Sequence, residues 1–447
     1  MTAEWLDTLR AALWVFVELL QSREDAFRFA LRFIPFVLFF ELPLLVLIVL
    51  GVLRHFARRA TLDPRNAPWH PRVSCIVTCF AEGESVRACI RTLIEQLYDG
   101  AVEVIAVVDG ASHNRATLDA LERLRHELRL PPRRTLMIIP KWQRGGRVSA
   151  LNAGLANARG EIVLAVDADT SFDNTVIGLM VRHFRDPRVA AVAGALRVRN
   201  LRASLAALLQ ALEYAISIQT GRIGLGEWNI VNNVSGAFGA FRRSVLEKLG
   251  GWNTGAAEDL DLTMRIKSYF GRDALRIAFE PEAIGHTDVP VRWRDFFRQR
   301  LRWDGDLFYI YVRKHHKSFA PHLMGGRNLF MTIWYGLFFQ LVLPLLIVAY
   351  TVWLFVFHPA SHVLGVLGLI YVVYLGIAAT LYALFLLLVS ERPRQDLRLL
   401  AVVPLFPLFS FAARSWSALA ILNEAWRDAH EETSMAPWWV LRRTRRS

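Results

Sequence analysis

The residues best able to do chemistry are carboxylates placed just past apolar runs of strand length. Ile162–Val166 stops at Asp167 and Asp169, two acids one residue apart. Hard oxygen ligands in that arrangement suit Mg²⁺ or Mn²⁺ carrying a diphosphate. An Asp-x-Asp arises about once by chance at this length and average composition, so its surroundings must decide its meaning. Glu82 follows the β-type run Val73–Cys79, and Asp109 ends Val102–Val108. One acid after one strand is ordinary turn chemistry. Three on one sheet edge indicate a nucleotide–metal pocket, because open α/β sheets bind ligands beyond the carboxyl ends of their strands.

Two further groups lie downstream. Glu258-Asp259-Leu260-Asp261 opens a helical pattern, where acids act as caps and dipole partners and leave room for a catalytic base. Trp293–Tyr311 is aromatic and basic at helical spacing, with Gln299, Arg302 and Trp303 on neighbouring faces. Alone, that pattern also describes a helix snorkelling at a membrane surface.

Strand–helix alternation must position these groups. Val73–Cys79, Val102–Val108, Thr135–Ile139 and Ile162–Val166 read as strands. Helical Glu84–Leu97, Arg115–Leu128 and Val148–Ala158 lie between them, with the basic glycine loop Lys141–Arg147 before the last. The alternation predicts a doubly wound parallel sheet, to which Val189–Leu196 adds a strand. Leu201–Ile223 reads as an amphipathic helix, for the sheet or for the membrane surface. Asn232–Phe241 is small and glycine-rich, suiting close approach of backbone to a ligand.

The chain has 447 residues, 54% of them hydrophobic, with a formal net charge of +13. The apolar excess lies at the two ends and the basic excess flanks it, as in Arg54–Arg59 and Arg442–Arg446. That distribution suits an anionic membrane surface; no basic helix or aromatic-interleaved patch supports nucleic-acid binding. Glu4–Gln21 reads as an interfacial helix and Phe29–Val52 as a span, not a cleaved signal. The arginines that follow place the central region in the cytoplasm. Asn328–Phe357 and Val363–Val389 are two further spans. Leu399–Leu422, holding Pro404, Pro407 and Arg414, reads as a kinked span, a re-entrant hairpin or an element facing a polar channel. Cys75, Cys79 and Cys89 read as buried reduced thiols, consistent with a reducing compartment. The expected domains are 1–60 (interfacial helix and span), 61–290 (cytosolic), 291–326 (interface helix) and 327–447 (membrane region and basic tail).

In order, Ala81-Glu82, Asp109-Gly110, Asp167-x-Asp169, Glu258-Asp259 and Gln299-x-x-Arg302-Trp303 resemble the motifs of family 2 glycosyltransferases. The likeness is to the membrane-embedded processive synthases of cellulose, chitin, hyaluronan and poly-N-acetylglucosamine, and runs from about Val73 to Trp303. It implies a GT-A, Rossmann-like cytosolic domain inserted between N- and C-terminal transmembrane segments, in a bacterial inner membrane. It implies that Ala81, Glu82 and Asp109 serve the nucleoside and that Asp167 and Asp169 bind nucleotide and a divalent metal, Mg²⁺ or Mn²⁺. Asp259, with Glu258, would be the catalytic base. Arg147, Gln299, Arg302 and Trp303 would hold the pyrophosphate and the acceptor sugar.

The implied partners are a UDP-sugar donor, a growing polysaccharide or lipid acceptor and membrane lipids; the architecture also admits an accessory membrane or export subunit. The product expected is a β-linked, N-acetylglucosamine-type polymer. The alternatives are one-step transfer to a lipid on the same fold and a non-catalytic export subunit. Three departures stand out: Ala257 replaces the Thr usual before Glu-Asp, Arg147 the Lys of Gly-Gly-Lys, and Ala111-Ser112 the Ser-Thr after Asp-Gly. No cyclic-di-GMP-binding domain is expected after the membrane region.

Overall fold

The structure is a computed structural model that describes residues 35–61, 69–253 and 257–427 and a few positions between 7 and 17. The expected interfacial helix lies largely outside the described residues, and the basic tail lies outside them entirely.

Four strands build the first half of the sheet, three of them largely buried and the fourth forming its edge. β1 (Val73–Cys79), β2 (Val102–Asp109), β3 (Arg134–Lys141) and β4 (Ile162–Asp167) are parallel and lie in the order β3-β2-β1-β4. Every residue of β1 is buried, as expected for a parallel strand covered on both faces. Helices α2 (Val86–Ile94) and α4 (Gly146–Asn157) pack on this half of the sheet, and α3 (Arg115–Glu127) returns the chain to β3. The strand order reverses at β1, because β2 and β3 lie on one side and β4 on the other. This is the Rossmann-like GT-A arrangement, and its switch point lies between Thr78 and Asp167, which are register partners.

Beyond β4 the sheet becomes mixed rather than uniformly parallel. β7 (Phe238–Arg242) runs antiparallel between β4 and β6 (Val189–Val198). β8 (Arg276–Thr287) is parallel to β6 and carries the short β5 (Ser171–Phe172) at the edge. Part of the glycine-rich stretch has thus become a strand. Small residues make this fit: a Cβ on Gly239 would lie 2.6 Å from the Val234 side chain, and one on Gly194 would run into the Phe238 ring.

Four helical runs among the described residues are long and apolar enough to cross a membrane: Val37–Arg58, Gly326–Phe357, Ala360–Val389 and Pro393–Arg427. Their regular α-helical parts include α1 (Leu42–Thr61), α8 (Leu343–Phe357), α9 (Ala360–Leu384) and α10 (Phe406–Arg427). Leu399–Leu422 falls within the helical run Pro393–Arg427, and Phe406, Pro407, Ser410 and Arg414 of it line a cavity. A 3₁₀ stretch, Leu397–Leu405, contains Pro404, whose carbonyl accepts from Tyr371 Oη at 2.9 Å. α1 docks backbone to backbone on the globular domain: a Cβ on Gly224 would lie 2.6 Å from Ile48 Cα, and the Trp228 indole donates to Leu47 O at 2.9 Å. α5 (Leu205–Glu213) and the π-helical Tyr214–Gly221 lie between sheet and membrane-type helices, touching both. All three cysteines are free and buried.

Candidate active site

The strand ends bring the acids together. Asp167 closes β4 beside Thr78, and Thr78 Oγ1 lies 3.4 Å from Asp167 Oδ1. Asp169 is exposed at the cavity mouth, with Oδ1 accepting from Thr170 Oγ1 at 3.1 Å. Glu82, past the end of β1, keeps Oε2 buried with no hydrogen-bond partner. Burial pushes its carboxyl up to about 7, helped by the charge of Asp169 and opposed by Arg147.

Asp109 is engaged by the basic loop. Its Oδ1 accepts from Lys141 Nζ at 2.8 Å and Gly145 N at 2.9 Å, and its Oδ2 from Gly146 N at 2.8 Å. It thereby caps the N-terminus of α4 from a neighbouring strand. Gly146 has φ +81°, a backbone form that L side chains rarely adopt. Ala81 contributes backbone only: its N–H donates to Asn114 Oδ1 at 3.2 Å, and its exposed side chain stands outside the cavity lining.

Arg147, the second residue of α4, reaches across the site with its side chain only 10% exposed. Its guanidinium pairs with Asp167 and with Glu258 Oε1 at 2.5 Å, and donates to Gly236 O at 2.5 Å. Helix α6 (Glu258–Ser268) starts at that acid pair. Asp259 Oδ2 accepts from Asn233 Nδ2 at 3.1 Å and Gly236 N at 3.0 Å, which turns the carboxylate toward the cavity. Gly236 has no room for a side chain without crowding Glu258 and Arg147, at 3.0 and 3.3 Å from a Cβ. Glu258 is buried and its pKa is raised by that burial, with Arg147 pulling the other way. Ala257, where the family usually has Thr, is left-handed with φ +50° and provides no side-chain cap.

Helix α7 (Trp293–Phe308) closes the other wall with Gln299, Arg302 and Trp303. Trp303 is 38% exposed to the cavity, and the Arg300 guanidinium lies 5.4 Å from its ring centroid. Arg300 is in turn held by Glu213 at 2.5 Å. Asp306, 7% exposed, lies one turn beyond Trp303, and burial holds its carboxyl well above the usual range.

Asp306, Arg222, Asn233 and Glu213 line the cavity without having been singled out as site residues from sequence. For Asp306 a signal existed: Gln299, Arg302 and Asp306 are spaced to share one helical face. Asn233 lies in the glycine-rich stretch that suits close approach to a ligand, and Glu213 and Arg222 come from a segment readable only as an amphipathic helix.

These groups line one cavity of about 1150 Å³, larger than a usual small-ligand pocket. It runs from Asp169 past Asp259 and Trp303 to Glu41, Tyr374 and Arg414 on the membrane-type helices. Among the described residues, no three His, Cys, Asp or Glu side chains group to hold a metal by themselves. Asp167 and Asp169 fit an ion of the Mg²⁺ type, which binds through one or two carboxylates and completes its shell with phosphate and water oxygens.

Residues 70–305 match the model of the glycosyltransferase-like family 2. The poly-β-1,6-N-acetyl-D-glucosamine synthase of Staphylococcus epidermidis is 28% identical over 233 residues, 52% of this chain and 53% of that protein. The synthase of the same name from Staphylococcus aureus (strain COL) is 26% identical over 283 residues, 61% of this chain and 65% of that protein. The chain thus spans about half to two thirds of the length of these relatives. Among solved structures, the mannosyltransferase PcManGT of Pyrobaculum calidifontis, in complex with GDP-Man and Mn²⁺, aligns with a TM-score of 0.47 and 21% identity. That alignment covers 86% of this chain and 99% of the other.

Proposed function

The chain belongs to the glycosyltransferase-like family 2, and on that basis we propose that it polymerises sugar from a UDP-sugar donor into a β-linked polysaccharide at a bacterial inner membrane. The globular domain would face the cytoplasm. The observation that carries this reading is the single cavity that joins the acids at the strand ends to the membrane-type helices. A transferase releasing a small soluble product has no use for that second half. The names of the two staphylococcal relatives favour an N-acetylglucosamine-type polymer.

Asp167 and Asp169 would hold the divalent ion, Mg²⁺ or Mn²⁺, with the donor diphosphate. When bound, the ion supplies a Lewis acid that neutralises charge on the departing UDP. Asp109 fixes the basic loop and the start of α4 beneath the nucleotide. Asp259, oriented by Asn233 and Gly236, takes the proton of the acceptor hydroxyl as that oxygen attacks the anomeric carbon with inversion. Trp303 offers its face to the acceptor sugar, while Gln299 and Arg302 clamp the pyrophosphate. The growing chain leaves along the cavity between the membrane-type helices.

The test is to incubate purified membranes with a panel of radiolabelled UDP-sugars and Mg²⁺ or Mn²⁺, then size the product. A ladder or high-mass polymer from one donor is expected. Label recovered only as a single-sugar lipid would replace polymerisation with glycolipid synthesis.

A further inference from the structure

We propose that Arg147 is a built-in counter-ion that keeps the divalent metal out of the site until the donor diphosphate arrives. This rests on the reading of Asp167 and Asp169 as the metal–diphosphate acids and adds an order of binding to it.

Asp167 is the more buried of the two candidate metal-binding acids, and its Oδ1 is already shared between the Arg147 guanidinium and Thr78. Arg147 is no loose surface group. It is 10% exposed and held from the far side by Glu258 and by the Gly236 carbonyl, each at 2.5 Å. A guanidinium can serve all these acceptors at once because its N–H groups form a planar fork; the point charge of the Lys usual at this position cannot. A divalent ion approaching Asp167 meets a fixed positive charge on the oxygen it needs. Among the described residues no three His, Cys, Asp or Glu side chains group to hold a metal, so the protein alone supplies few ligands to offset that repulsion.

A diphosphate changes both terms. It brings the missing oxygen ligands for the ion and new acceptors for Arg147. The guanidinium moves from Asp167 to phosphate and keeps its tie to Glu258, while the freed carboxylate oxygen turns to the metal. Metal and nucleotide therefore bind as a coupled pair, each raising the affinity of the other by the same factor. Metal alone binds weakly. Because Glu258 precedes Asp259, the same movement reports donor occupancy to the residue beside the base.

The test uses the full chain in lipid nanodiscs, with Mn²⁺ as probe. Bound Mn²⁺ is read from the loss of the free-ion electron paramagnetic resonance signal, with and without UDP. In the wild type, UDP should tighten Mn²⁺ by roughly tenfold or more, and Mn²⁺ should tighten UDP equally. In Arg147→Gln, Mn²⁺ should bind roughly tenfold tighter without UDP, and the coupling should shrink several-fold.

Arg147→Gln binding Mn²⁺ no more tightly than wild type without UDP, while still binding it with UDP, overturns the counter-ion role alone. Wild-type coupling below about twofold overturns it without any variant. No Mn²⁺ binding by the wild type even with UDP, or undiminished binding by Asp167→Asn, defeats the metal reading itself and this inference with it.

Discussion

Glu41 and Arg414, 373 residues apart, form an ion pair between the first and last membrane-type helical runs, and Tyr374 donates its hydroxyl to the same carboxylate at 2.9 Å. All three line the cavity that begins at Asp167 and Asp169. Ionisable side chains within apolar spans are costly and face a partner or a polar path; these do both. Arg414 also stacks on Phe339, 5.1 Å from the ring centroid.

Removing one partner of this pair leaves the other charge buried. Arg414→Ala should therefore lower stability by about 3–5 kcal/mol, read as a fall in thermal midpoint in detergent. Replacing both Glu41 and Arg414 by Leu and Met should recover much of that loss, with a large coupling in a double-mutant cycle. Additive single effects would mean that the two do not pair.

Asp259→Asn keeps the shape held by Asn233 and Gly236 but removes the proton acceptor. Transfer should fall by about 10²–10⁴-fold, while UDP binding, measured by calorimetry, stays within a few-fold. Full turnover by this variant would remove Asp259 as base.

The docking of α1 depends on Gly51 and Gly224, where side chains would strike the facing backbone. Gly224→Val should destabilise by about 1–3 kcal/mol and loosen the first span from the globular domain. Increased protease cleavage between residues 61 and 69 is the readout. An unchanged digestion pattern would contradict the close packing.

Glu82 gives stability a pH dependence. Its carboxyl is raised from 4.5 to about 7 in the folded protein, so the fold binds its proton more tightly than the unfolded chain does. The contribution is complete below about pH 4.5 and is lost as pH rises through about 7. In metal-free buffer, the wild type should lose on the order of 2 kcal/mol more between pH 5 and pH 8 than Glu82→Gln does. Parallel pH profiles would show that Glu82 is not held protonated.

Much of the site was legible because the strands that lead into it are largely buried and so read as near-continuous β-type runs. Glu82, Asp109 and Asp167 each follow such a run. The second half of the sheet was less legible. Phe238–Arg242 is short and glycine-bearing, and only its insertion between β4 and β6 makes it a strand. Leu201–Ile223 looked amphipathic for either sheet or membrane, and its structure serves both, since it is packed between them. Arg222 has no local signature and reaches the cavity wall by long-range packing, whereas Asn233 lies in the glycine-rich stretch already suited to a ligand. Arg147 was visible as a departure from Lys, but its bridge between Asp167 and Glu258 joins residues 91 apart and has no local signature.

On this reading one cavity both makes the polymer and carries it into the membrane-type helices. Ser410, on α10, lines that cavity far along the chain from the acids. The native cysteines are buried, so a bulky maleimide should label Ser410→Cys selectively. Product length would be measured before and after labelling, with UDP binding as the control. Passage through the cavity predicts that labelling cuts the product to short oligomers and leaves UDP binding intact. Full-length polymer from quantitatively labelled protein would contradict it.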